Sequence, residues 1–164
     1  MVRRIRMAIA IGGIAVLLGG TAALATPPSG LTSTLLARGS WSRHDRIQLL
    51  AGLTQQVKPP SSDVAMVRAT LQPGGTTGWH DHPGPSVVIL AAGTLTISEA
   101  KGPGCRVTEV SAAAGQKAFF HPDDVHRFDN KGETVAEFYI TYFAPTATPL
   151  LIDVPEPPPG CTPA

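Results

Sequence analysis

The stretch Gly74-Gly75-Thr76-Thr77-Gly78-Trp79-His80-Asp81-His82-Pro83-Gly84-Pro85-Ser86 decides how the chain is read. Side chains at i and i+2 of an extended segment point to one side, so His80 and His82 converge only if the segment is a strand. In that geometry Trp79 faces the other way and reads as a packing residue. Imidazole suits Zn, Cu, Fe and Ni, and a third histidine from a facing strand would complete a metal-binding set with open positions. The same pair taken alone also fits two exposed polar residues. A second stretch, His121-Pro122-Asp123-Asp124-Val125-His126, supplies the further histidines.

Outward from these stretches the chain reads as all-β. Short runs rich in β-branched and aromatic residues recur between turn residues: 31–38, 46–53, 63–71, 86–91, 94–99, 106–110, 117–120, 125–129 and 134–143. Such spacing suits a small barrel or sandwich. The run 46–53 fits a short helix equally well. Thr94-Leu95-Thr96-Ile97-Ser98 alternates like a half-buried strand, whereas Val87-Val88-Ile89-Leu90 is continuous and reads as buried on both faces. The 17 Gly and 16 Pro among 164 residues, with only 15% charged, disfavour a helical bundle. Gly78, Gly84 and Gly93 read as turn or close-approach positions. Tyr139 and Tyr142 sit on one strand with opposite parity, and neither is assigned to the interior.

The spacing around the histidines resembles the two motifs of the cupin superfamily. Gly74, five residues, His80-Asp81-His82, three residues, Ser86, six residues and Gly93 follow the first motif. Gly115, five residues, His121-Pro122-Asp123, two residues, His126, three residues and Asn130 follow the second. The resemblance implies a double-stranded β-helix, or jelly-roll barrel, and a metal site of His80, His82 and His126. Ser86 stands where the family usually has a glutamate ligand, and His121 and Asp123 replace a Pro and a Gly. The implied set is therefore three histidines alone, as in some cupin dioxygenases, holding Fe, Mn, Cu, Ni or Zn. Ser86 and His121 are candidate pocket residues; His121 reads either as an additional ligand or base or as a polar rim residue. Pairing of such barrels through sheet edges implies a homodimer.

The N-terminus has its own logic. Arg3, Arg4 and Arg6 precede an uncharged run from Met7 to Leu18, and Ala23-Leu24-Ala25 supplies a small-residue cleavage site. Residues 1–25 read as an export signal, the alternative being an uncleaved anchor that is short and glycine-broken for a span of about 20 residues. Its removal turns a net charge of +1 into −2, because three arginines and no acids leave with it. The domain is expected over 26–154, secreted, periplasmic or in the cell envelope, with no stable membrane insertion after cleavage and no nucleic-acid partner, since no basic cluster remains. In an exported chain Cys105 and Cys161 read as a disulfide tethering the Pro-rich tail 155–164, worth about 4 kcal/mol by loop closure; two free thiols are the alternative.

No nucleophile elbow, phosphate loop or Cys-x-x-Cys is present. Two functions remain open. One is a metal-dependent, dioxygenase-like oxidoreductase acting on a small organic molecule; the other is a non-catalytic module binding a small molecule, a sugar or a metal. Isomerase chemistry on nucleotide sugars, which the fold also supports, fits poorly with export.

Overall fold

The computed structural model describes residues 27–41, 62–121 and 124–161, the side chains of residues 41, 120 and 121 excepted. The expected signal 1–25 and the run 46–53 lie outside these residues. The described residues form β1 (Ser29–Trp41), β2 (Ser62–Thr76), β3 (His80–Asp81), β4 (Ser86–Ala92), β5 (Thr94–Lys101), β6 (Gly104–Ser111), β7 (Lys117–His121), β8 (His126–Asp129), β9 (Ala136–Pro145) and β10 (Ile152–Asp153). All pairings are antiparallel, and the order gives two layers, β1-β2-β9-β4-β7 and β6-β5-β8-β3-β10. The layers join where Thr76 at the end of β2 meets Asp129 on β8. The architecture is the expected all-β jelly roll, nearly closed.

Period-2 alternation builds the core. Ala65, Val67, Ala69 and Leu71 of β2 point inward while Met66 and Arg68 point out, and Ala136, Phe138, Ile140 and Tyr142 do the same on β9. Phe128 of β8 meets them from the other layer, its ring 5.7 Å from Phe138 and 5.9 Å from Phe119. Two positions on β2 allow the strand to change layers. Gly74 has φ +75°, and a Cβ on Gly75 would lie 2.8 Å from the Gln72 carbonyl oxygen. There the backbone exchanges bonds with β8: Gly74 N–H donates to Asn130 and Asn130 N–H to Gly75. The buried Asn130 side chain locks the crossing by donating to the carbonyls of Leu71 and Thr134.

Two expectations about burial are reversed. Ile89 is 41% exposed, so β4 alternates, with Ser86, Val88 and Leu90 inward. β5 is the strand buried on both faces, from Leu95 through Glu99. Leu95 and Ile97 face the core. On the outer face Thr96 and Ser98 lie beside Asp129 and Arg127 of β8, where the Arg127 guanidinium stacks 5.1 Å from the Trp79 ring. The C-terminal tail returns to this side at Cys161, whose Cys105 partner is paired with Ala100. Contacts made by other parts of the chain, from Trp79 and β8 to the tail at Cys161, therefore decide the burial of β5.

The disulfide Cys105–Cys161 is present, with a Cα–Cα separation of 4.8 Å. Close approach also governs the β3–β4 loop, where a Cβ on Gly84 would sit 2.1 Å from the Phe143 carbonyl oxygen. Gly84→Ala is expected to lower stability by about 2 kcal/mol through overpacking, read as a lower denaturant midpoint at unchanged slope.

Candidate metal centre

β3 is two residues long, yet it places the site. His80 is the cross-strand partner of His126 on β8, and β10 pairs along its other edge, Ile152 with Asp81 and Asp153 with His80. His82 follows in the same extended sense, its backbone N–H held by the Asp81 carboxylate at 2.7 Å. The structure thus brings His80, His82 and His126 together. Their ring centroids lie 4.9 Å (80–82), 4.4 Å (80–126) and 5.0 Å (82–126) apart. All three are buried, with one ligand nitrogen of each within 4.8 Å of the others. Trp79 turns to the opposite face, as the strand geometry requires.

Each imidazole is oriented by a backbone carbonyl. Nδ1–H of His80 donates to Gly78 at 3.0 Å, that of His82 to Leu150 at 2.7 Å, and that of His126 to Asp124 at 2.6 Å. A proton on Nδ1 leaves the lone pair on Nε2, the tautomer that ligates a metal, with the carbonyls as the outer contacts that fix ring orientation. Gly78 adopts φ +68°, which lets its carbonyl turn back toward His80. The Asp124 carbonyl is held in place by the Lys101–Asp124 ion pair and by the Ala100 N–H bond to Val125. Burial, then the neighbouring His126 and His82 rings, drive the His80 pKa from 6.5 down to about 3, so the imidazole is neutral at pH 7. A buried cluster of pre-oriented imidazoles can hold a metal ion.

The site opens on a cavity of about 260 Å³. Ser86 and Tyr142 face each other across β4 and β9 at its edge. The Ser86 hydroxyl is buried in the cavity wall with no hydrogen-bond partner among the described residues, an arrangement that costs about 1–3 kcal/mol unless a bound molecule satisfies it. The Tyr142 ring lies 4.9 Å from His82, and burial pushes its hydroxyl well above the usual phenol range. His121 pairs through its backbone with Ser86; its side chain lies outside the described residues. Glu99, also buried, is the cross-strand partner of His126 on the side away from β3 and is ion-paired to Arg106 at 3.1 Å.

The match to a family model then has a geometry behind it: the Cupin domain model covers residues 67–142, from the inward-facing Val67 to Tyr142. Residues 67–142 are a cupin domain. Similar solved structures include an oxalate oxidase in complex with the substrate analogue glycolate, at 26% identity and TM-score 0.48, covering 56% of this chain and 46% of that one. The Lactobacillus farciminis oxalate decarboxylase formate complex is 19% identical, with TM-score 0.48, covering 56% of this chain and 26% of that one. Peruvianin-I, a cysteine peptidase from Thevetia peruviana latex, is 19% identical with TM-score 0.51, covering 79% of this chain and 73% of that one, a likeness of fold. The chain thus spans less than half the length of the oxalate oxidases it resembles. No curated protein matches it.

Sequence reasoning placed Tyr142 on the last strand and left its parity open; the structure turns it inward with Ala136, Phe138 and Ile140. It missed the Leu150 carbonyl, for which the sequence carries no signal.

Two outcomes follow from this geometry. The unfolded chain protonates His80 near pH 6.5 and the folded metal-free protein only near 3, so stability is intact above 6.5 and falls as pH drops between those values. Urea midpoints should show this slope, up to about 1.4 kcal/mol per pH unit for the one proton, and His80→Asn should lose that share. The C-terminal strap that carries Leu150 is tied by Cys161; a Cys105→Ser/Cys161→Ser variant should bind zinc about tenfold more weakly in a metal titration.

Proposed function

We propose that this cupin domain is an exported metalloprotein whose His80, His82 and His126 hold one divalent transition metal, Fe, Mn, Cu, Ni or Zn, and that it acts as an oxidoreductase on a small organic molecule. The observation that carries the reading is the set of three Nδ1–carbonyl hydrogen bonds, which aims three buried imidazoles at one point. When bound, the metal supplies Lewis acidity or redox chemistry, and the neutral ligand set leaves its charge uncompensated. The chain's own residues bind and orient. His80 and His82 border the cavity, Ser86 offers a hydroxyl where the family usually has a carboxylate, Tyr142 lies beside His82, and the apolar walls exclude water.

A second reading, a non-catalytic binding module, is favoured by one observation: no Lys, Arg, Asp or Glu is among the described cavity-lining residues, so proton transfer has no obvious side chain. The two readings part on turnover of substrate by the metal-loaded protein.

Export is supported by the arginine-led apolar N-terminus and by the oxidised cysteine pair. Mass spectrometry of exported protein should give Thr26 as the first residue; an intact N-terminus would contradict cleavage. Metal analysis of natively produced protein should give about one equivalent, lost in His82→Ala; under about a tenth of an equivalent, with no gain on reconstitution, would sink the metal reading. A sedimentation mass of two chains is expected for the homodimer.

A further inference from the structure

Along the strand register His80, His82, Ser86 and Tyr142 stand at one end of the cavity, with the Leu150 carbonyl on His82, and Leu31, Leu35, Val67, Val88, Phe138 and Ile140 form much of the rest, the hydroxyl residues Ser33 and Thr77 also lining it. None of the described lining residues is charged. Arg38, three residues along β1 from Leu35, is committed elsewhere: its Nε donates to Asp63 at 2.6 Å and its Nη2 to the Thr148 carbonyl at 3.0 Å. Glu99 lies beyond His126, ion-paired to Arg106, and does not border the cavity.

These walls discriminate by charge and by length. Imidazole is an uncharged ligand when it binds a metal, so an ion held by the three histidines would be the positive charge facing the cavity among the described residues, at one end of it. An oxygen-bearing head carrying no charge or a single negative charge is matched there, beside the Ser86 hydroxyl, which has no hydrogen-bond partner among the described residues. A second charge carried between Val67, Val88, Phe138 and Ile140, all buried, would be stripped of water with nothing to pair with among the described residues. Each methylene laid along those walls should improve binding about fourfold.

We propose that the centre takes a small amphipathic molecule: one oxygen-donor head of at most single negative charge at the metal and Ser86, and an apolar body along β1 and the walls of Val67, Val88, Phe138 and Ile140. Small dicarboxylates are poor ligands. The proposal rests on the metal reading of the preceding subsection.

The test uses the full mature chain. Cobalt(II) is titrated first, without carboxylate, by its absorption spectrum; failure to bind counts against the metal reading alone. Acetate, butanoate, hexanoate and adipate are then titrated by calorimetry, on the cobalt protein if cobalt binds and on the metal-free protein if it does not. Hexanoate should bind at least about tenfold more tightly than acetate, and adipate at least about tenfold more weakly than hexanoate. Equal binding of acetate and hexanoate, or of adipate and hexanoate, overturns the proposal. Leu35 is 55% exposed at the cavity rim, so Leu35→Arg is compatible with the fold. That variant should keep cobalt binding, lose the preference for hexanoate and gain affinity for adipate; an unchanged series would place the ligand body elsewhere and overturn the proposal.

Discussion

Three imidazoles packed with ring centroids 5.0 Å or less apart inside an apolar barrel are the constraint that the surrounding structure answers. A buried polar ring without a partner is costly, and three adjacent rings cannot all carry charge. The fold answers with backbone. Each Nδ1 is given a carbonyl, from the loop before β3, the loop before β8 and the C-terminal strap, so that each ring is held in one orientation, leaving its Nε2 to face the centre. The registers of β3, β8 and β10 follow from that requirement as much as from apolar burial. A two-residue strand would be marginal alone, but pairing on both edges makes it part of the layer.

The C-terminal segment acts on the site and on the core together. Leu150 orients His82, Leu150 and Leu151 wall the cavity, β10 completes the β3 edge, and Val154 donates to the Trp79 carbonyl. Beyond these the tail crosses to the outer face of β5, where Gly160 approaches Pro103 so closely that a Cβ would lie 2.4 Å from its carbonyl oxygen. The disulfide then closes 56 residues of chain. Loop closure of this length stabilises chiefly by restricting the unfolded chain. Here it also keeps one ligand's hydrogen-bond partner in place.

Much of the fold was legible because its signals are local. Glycine spacing marked the turns, His-x-His marked the short strand, and runs rich in β-branched and aromatic residues marked β2 and β9. The histidine register located the site residues without geometry. What was not legible depends on contacts far apart in sequence. The apolar run 87–90 lies on a strand whose outer face is uncovered, so Ile89 is exposed, whereas the alternating run 94–98 is covered on its polar face by β8 side chains, Trp79 and the tail. Period alone cannot report what covers a strand. The role of Leu150 was hidden for the same reason, since a backbone carbonyl has no sequence signature. Tyr142 was within reach, because the three apolar residues of its own parity face inward.

In the proposed metalloprotein the three Nε2 atoms converge on one metal ion. Anomalous diffraction from crystals of the metal-reconstituted protein, collected at the edge of the added metal, tests it most directly. A single peak is expected about 2.0–2.2 Å from Nε2 of His80, His82 and His126, with each Nδ1 still bonded to its carbonyl. A peak ligated through Nδ1, a peak elsewhere on the protein, or no peak at this cluster would contradict it.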